Sequence, residues 1–281
     1  MDLDGKTFVV TGANTGIGRA TVHALASRGA SRIVVASRNR EKTGPVLEEL
    51  RERNPRGEVM FVPLELGDLS SCARAADEIL AHDRPLDALV DNAGIAGLRG
   101  LTTDGFELTF GTNHLGPFVF TEKLLPLLER APQGRIVIVS SVAHYGCRQI
   151  DWDAQRKPTA SWSAMREYSV SKLCNVLYAK ELARRLASTR VTTYSLHPGA
   201  VASDIWSRRL GVFASLITPF MITNEDGART QLRCAADPAL AEQSGLYYDD
   251  EWPKEPNPLA KDVGLQDELV RRSRDWARAY I

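Results

Sequence analysis

The stretch "TFVVTGANTGIGRATVHALAS", residues 7–27, constrains the fold more than any other. A β-branched apolar run ends in three glycines, Gly12, Gly16 and Gly18, and passes at once into a helical pattern closed by Gly29. Glycines at such a junction let the backbone turn tightly and come close to a ligand. A helix that starts there aims unpaired N–H groups outward, a ready site for an anion such as a pyrophosphate. The spacing TGxxxGxG differs from GxGxxG, but its strand–turn–helix setting is the one such a loop requires.

The same alternation continues along the chain. Strand-like runs are "RIVVASR" (32–38), "EVMFVPLEL" (58–66), "LDALVDNAG" (86–94), "GRIVIVSSVA" (134–143), "VTTYSLHPG" (191–199) and the short "GLYYDD" (245–250). Between them, "EKTGPVLEELRERN" reads as helical in its second half, "SCARAADEILA" as a helix and residues 102–129 as a long, mostly helical stretch. Residues 165–188 form a helix, 226–237 form another, and 146–164 are polar and irregular. Continuous apolar strands between helices predict a mostly parallel sheet covered on both faces. The expected fold is one α/β doubly wound, Rossmann-type domain over 1–281, with its strand order left open.

The 281 residues carry 35 basic and 35 acidic side chains, so no extended nucleic-acid track is expected. "RRSRDWAR" (271–278) reads as a solvated helix face. Cys72, Cys147, Cys174 and Cys234 form no CxxC pair, and His114, His144 and His197 are dispersed. Neither a disulfide framework nor a metal site is expected. The acidic start "MDLDGK" lacks a secretory pattern, and no apolar run approaches 18 residues. The expectation is a cytoplasmic protein with no integral membrane segment.

At the end of the second strand-like run stand Ser37 and Arg38, where an acid would hold the ribose hydroxyls of a non-phosphorylated dinucleotide. Arginine offers a fork of donors to a 2′-phosphate, and Lys42 adds charge, so NADP(H) is expected over NAD(H). Gly94 of "DNAG" permits close approach to a flat ring, and Asn92 can bridge neighbouring loops. Tyr168 and Lys172 in "YSVSK" lie four apart and share a helix face. An ammonium beside a phenol lowers the phenol pKa, which suits proton transfer near neutral pH. Ser141, ending the fifth strand, can hydrogen-bond a substrate oxygen, and Asn113 can hold an ordered water.

"TGANTGIG", "DNAG", "NHLG", "SSVA", "YSVSK" and "HPGAVAS" together resemble the classical short-chain dehydrogenase/reductase family. "SSVAHYG", "YSVSKLCNVLYAKELARRL" and the long interval from Ser141 to Tyr168 resemble its retinol dehydrogenase-like branch. The resemblance implies Tyr168 as general acid/base, Lys172 on the nicotinamide ribose, Ser141 polarising the carbonyl and Asn113 supporting a proton relay. It implies a cofactor site of Gly12, Asn14, Thr15, Gly16, Ile17, Gly18, Ser37, Arg38, Glu65, Leu66, Asn92, Ala93, Gly94, Tyr168, Lys172, Pro198, Gly199, Val201 and Ser203. Three positions depart from the family pattern: Asp91 begins "DNAG", Glu65 stands where aspartate is usual, and Gly67 follows "LEL".

The expected activity is NADP(H)-dependent reduction of a hydrophobic ketone or aldehyde, a large one suiting the apolar segment after Ser203, or oxidation of the alcohol. A non-catalytic NADP(H)-binding scaffold or redox sensor and an NAD-preferring alcohol dehydrogenase are the alternatives. Residues 204–223, with Trp206, Leu210, Phe213, Leu216, Phe220 and Met221, are expected to cover the substrate, to pack on the core or to meet another subunit. A homodimer is the expected assembly. Trp152 and Trp162 are expected to pack locally rather than wall the pocket, and Cys174 to lie in a helix core.

Overall fold

A computed structural model describes residues 2–199 and 222–281. The strands are β1 (Thr7–Thr11), β2 (Arg32–Ser37), β3 (Glu58–Pro63), β4 (Ala88–Asp91), β5 (Gly134–Val139), β6 (Val191–His197), β7 (Leu246–Asp249) and β8 (Trp252–Lys254). The helices are α1 (Gly16–Ser27), α2 (Arg40–Arg53), α3 (Leu69–Leu80), α4 (Leu108–Phe110), α5 (Gly116–Glu129), α6 (Met165–Arg185), α7 (Asn224–Ala236) and α8 (Val263–Ala277). One sheet runs β3-β2-β1-β4-β5-β6-β7-β8, parallel except for β8. The order reverses direction between β1 and β4, so the loops leaving these two strands diverge and open a crevice at the sheet's carboxyl edge.

Alternate residues of each strand feed two cores. Val9, Val34, Leu89, Ile136 and Ile138 face α3, α5, α6 and α8. Val10, Ile33, Val35, Val90 and Val137 face α1, α2 and α7. This two-sided burial explains why the strands read as unbroken apolar runs. Val201, Ser203 and residues 204–221 of the expected cover lie outside the described residues.

The ends of α1 behave as the sequence predicts. Gly29 adopts φ +78°, its N–H bonds Ala26 O at 3.0 Å, and Ala30 N–H bonds Leu25 O at 3.2 Å. That is a Schellman closure. Helix α2 starts earlier than its sequence suggests. Asn39 caps it by accepting from Lys42 N at 2.9 Å, and Pro45, inside the helix, removes the bond to Glu41 O on an exposed face where water can replace it.

The long helix expected over 102–129 starts only at Leu108, because Thr102–Glu107 closes a tight turn with Thr102 N bonded to Phe106 O at 2.8 Å. It then passes through a π-helical turn, Gly111–Leu115, before α5. A Cβ on Gly116 would stand 2.2 Å from Leu66 O, so only glycine lets α5 pack this close to the loop after β3.

Strand β8 has no counterpart in the sequence reading. Asp250 and Glu251 turn the hairpin with φ of 48° and 67°, without the Asn-Gly signal that usually marks such turns. Helix α8 shows the solvated basic face expected of it, while Leu269, Val270 and Ser273 are buried. Trp276 stacks edge-on against Phe106 and Phe110 at 5.6 and 5.8 Å. His114, in the π turn, bonds Ser273 Oγ at 2.9 Å. Cys174 is buried on α6, and Trp152 packs against Trp276. Trp162 is 90% exposed and packs on nothing, contrary to the expectation for it.

Asp91 ends β4 fully buried. Thr121 donates to one carboxyl oxygen at 2.8 Å and the other oxygen has no partner. Burial pushes its pKa up to about 7. An unfolded aspartate titrates near ~4, so the folded chain holds a proton that the unfolded chain releases in between. The stability tied to that proton is present below the unfolded value and lost as pH rises through about 7. Asp91→Asn keeps the size and the Thr121 contact but cannot ionise. The variant is expected to exceed the parent in stability at pH 8 by on the order of 2–4 kcal/mol and to approach it at pH 4.5, as urea unfolding at the two pH values would show. An equal gap at both would mean that the site buries no proton.

Candidate active site

The glycine turn is built for close approach. Gly12 has φ +66°, and a Cβ there would meet Ala93 Cβ at 2.8 Å. A Cβ on Gly18 would meet Asn92 Nδ2 at 2.5 Å and Gly12 O at 2.7 Å. Gly16 also has positive φ, +57°. Thr15 begins α1 without a side-chain cap, and no acid occupies the first turn. The helix therefore presents uncapped N–H donors beside Asn14, Thr15, Gly16 and Ile17, which suits the phosphates of a dinucleotide.

Asn92 ties this turn to the end of β4. Its Nδ2 donates to Thr11 O at 2.9 Å. The backbone N–H groups of Asn92 and Ala93 both donate to Thr11 Oγ1 at 3.0 Å. Thr11 is thus a structural partner that the sequence reading passed over, although it opens the glycine motif.

At the ends of β2 and β3, the exposed Arg38 guanidinium lies 3.3 Å from the Glu65 carboxylate. Both reach the same edge, as expected for residues around an adenosine. The Ser37 hydroxyl is turned inward instead. It is buried 2.7 Å from Thr43 Oγ1, whose own proton goes to Asn39 O at 2.7 Å. The Ser37 proton is therefore committed to holding α2. Leu66 is buried, so its backbone rather than its side chain faces the loop edge.

Lys172 and Asn113 meet around Gly94. A Cβ on Gly94 would lie 3.1 Å from Asn113 Oδ1 and 3.4 Å from Lys172 Nζ. Lys172 Nζ donates to Val139 O at 2.9 Å and stands 5.7 Å from the centre of the Tyr168 ring. Asn113 accepts from Ile95 N at 2.8 Å and donates to Ile95 O at 2.9 Å and to Ser171 Oγ at 3.1 Å. Both of its donors are engaged, which leaves a water only the remaining lone pair of Oδ1. The π turn swings Asn113 into this position, and Ser171 passes the contact on to Tyr168 O at 2.8 Å.

Tyr168 lies close enough to Ser141 for that hydroxyl to favour the ionised phenol. Burial raises the phenol pKa and the nearby Ser141 hydroxyl partly offsets the rise. The sequence reading expected a phenol lowered by the ammonium. Burial raises it instead, and it also draws Lys172 down to about 8. Further residues brace the set without a sequence signal of their own. Ser140 Oγ donates to Lys172 O at 2.7 Å, and Asn175 Nδ2 donates to Val139 O at 3.1 Å. Pro198 and Gly199 follow β6, and Gly199 has φ +89°.

Among the described residues, no helix is long and apolar enough to cross a membrane. Comparisons with known proteins agree with this geometry. The short chain dehydrogenase family model matches residues 6–210. Dehydrogenase/reductase SDR family member 13 of Bos taurus is 39% identical over 98% of this chain and 74% of its own length. Human retinol dehydrogenase 12 is 41% identical over 89% of this chain and 79% of its own. The crystal structure of an uncharacterised protein from Mycobacterium paratuberculosis superposes with a TM-score of 0.80 at 32% identity, covering 99% of this chain and 95% of that one. A short chain dehydrogenase from Escherichia coli CFT073, solved with NADPH, shares the fold at a TM-score of 0.71 and 23% identity, over 89% and 98%. The chain is an oxidoreductase of the short-chain dehydrogenase/reductase family, in the branch that includes the retinol dehydrogenases.

Proposed function

We propose that this protein reduces a large apolar ketone or aldehyde to its alcohol with NADP(H), and catalyses the reverse oxidation through the same groups. One observation carries the reading: Tyr168, close to Ser141, stands beside a buried lysine at the open edge of a dinucleotide cradle. The cofactor supplies the hydride when bound. The turn at Gly12–Gly18 and the N-terminus of α1 take its pyrophosphate. Arg38 takes the 2′-phosphate, its link to Glu65 being exposed enough to rearrange. Gly94 leaves room for the nicotinamide ribose next to Lys172.

Negative charge grows on the carbonyl oxygen during reduction. Tyr168 gives that oxygen a proton while Ser141 donates a hydrogen bond to it. The raised phenol pKa keeps Tyr168 protonated at neutral pH, the form that reduction needs. Lys172 opposes the charge left on the phenolate. An apolar substrate is supported by Leu98, Val142 and Tyr145, which stand exposed on the loops after β4 and β5. The relatives named for retinol, a long apolar alcohol, point the same way.

Three outcomes are expected. Tyr168→Phe lowers kcat for reduction of retinal or an aromatic ketone by about 10²–10⁴-fold while NADPH affinity holds. Full activity in the variant would remove Tyr168 as the proton donor, whereas NADPH binding with no turnover in the parent would leave the protein a nucleotide-binding scaffold. Arg38→Ala weakens NADPH binding by about 10–100-fold and leaves NADH binding nearly unchanged, measured by titration calorimetry. Equal losses would favour the NAD-preferring alternative. Lys172 is cationic below its pKa of about 8 and neutral above it. Reductive kcat/KM for NADPH, which reports the cofactor-free enzyme, should hold level from pH 6 to 7.5 and decline as pH rises through 8. A flat profile to pH 9.5 would remove the lysine charge from the mechanism.

A further inference from the structure

Ser141 is the first residue of a short loop, Ser141–Cys147, that leaves β5 across the open edge of the sheet. Its hydroxyl must meet the phenol of Tyr168 and a substrate oxygen together, so the loop has to be held from outside. His144, wholly buried, does this from within the loop. Its Nδ1 lies 2.6 Å from Ser141 O, and its Nε2 lies 3.1 Å from the backbone N of Asn257. Asn257 N–H can only donate and Ser141 O can only accept. The ring is therefore fixed as the neutral tautomer with its proton on Nδ1.

Asn257 closes the arrangement. Its Nδ2 donates to His144 O at 2.9 Å and to Cys147 O at 2.8 Å, and its Oδ1 accepts from Leu259 N at 2.9 Å. The Tyr145 hydroxyl bonds Glu255 O, and the His144 ring stacks on Tyr145 and Tyr247 at 4.0 and 4.7 Å. Residues 255–257 lie beyond the part of the chain that the family model matches, 6–210. Nothing in the local sequence of the loop foretells them.

We propose that His144 and Asn257 form a latch through which the C-terminal segment positions Ser141, making His144 a positioning residue for carbonyl reduction. The proposal rests on the role assigned above to Ser141. The ring carries two separate duties, and substitutions can divide them. Asparagine at 144 can place an amide N–H where Nδ1–H stands, and so still donate to Ser141 O. Glutamine can place an acceptor near Nε2 for Asn257, but has no donor for Ser141 O. A residue that mattered only for packing would not make this distinction.

The test is a mutant cycle on NADPH-dependent retinal reduction, with amide hydrogen exchange of residues 141–147 as a readout that needs no turnover. His144→Phe is expected to lower kcat by about tenfold or more with NADPH affinity kept, and to speed exchange in the loop while α6 stays protected. His144→Asn should recover most of the loss and His144→Gln little of it. Added to Ser141→Ala, His144→Phe should cost nothing further. Loss of the same factor in both backgrounds would overturn the latch and leave the role of Ser141 standing. So would equal behaviour of the Asn and Gln variants, or unchanged exchange in the loop. Full activity of Ser141→Ala by itself would overturn both readings. Asn257→Ala covers the case in which His144→Phe does not fold. It should reproduce the kcat loss and the faster exchange, and parental values for both would likewise defeat the proposal.

Discussion

The site is organised around the burial of one ammonium. Lys172 is 4% exposed, and an unpaired ammonium at that depth would be severely unstable unless a carbonyl met it or it gave up its proton. The last residue of β5 supplies the carbonyl, Val139 O, which Asn175 also contacts one turn further along the same helix. Helix α6 can place both side chains there only if it crosses the strand end closely. Ser140, bonded to Lys172 O, holds that crossing at the level of the backbone. Tyr168, one turn earlier on the same face, is thereby carried to the mouth of the crevice. The absence of a side chain on Gly94 leaves the space in which lysine, asparagine and a ligand can meet. The sheet order does the rest, since only strands ending beside the switch between β1 and β4 can deliver these loops to one place.

Much of this was legible in the sequence because it depends on local rules. The apolar strands follow from two-sided burial, the Gly29 closure from the left-handed conformation it adopts, and the Tyr168–Lys172 pair from helix geometry. What escaped depends on contacts between distant segments. Ser37 looked like a cofactor ligand by its place at a strand end, yet Thr43, six residues on, claims its hydroxyl. The π turn is invisible because its residues, "GTNHL", suit an ordinary helix. Its register comes from Asn113 bonding Ile95 and from His114 reaching Ser273. Strand β8 is too short, and its turn too unusual in composition, to announce itself.

The C-terminal part of the chain contributes more than a closing layer. Helix α8 lies on the helices that carry the site, through Trp276 against Phe106 and Phe110 and through Ser273 against His114, the neighbour of Asn113. Arg274 of α8 and Arg185 of α6 converge on Glu122 of α5, which also accepts from Tyr178 at 2.8 Å. These links tie three helices to one another. A change in α8 therefore reaches the π turn without touching any ligand, by the packing of a rigid set rather than by a chain of charges.

Burial moves three ionisable groups at this edge of the sheet in a common direction. Tyr168 is held as the phenol, Asp91 keeps its proton to about pH 7, and Lys172 gives up its proton near pH 8. Each shift favours the uncharged form, because the site lacks the solvent that would stabilise charge. For Asp91 this explains why an acid can stand in a motif that usually begins with an amide. Below pH 7 it is largely a neutral hydrogen-bonding group packed against Thr121. For Lys172 the consequence runs the other way. A dinucleotide adds phosphate charge and ribose hydroxyls to the same crevice, and both favour the ammonium over the amine. On the mechanism proposed above, the lysine would then gain its full charge where an anionic cofactor accompanies it and would oppose the charge that proton transfer leaves on Tyr168.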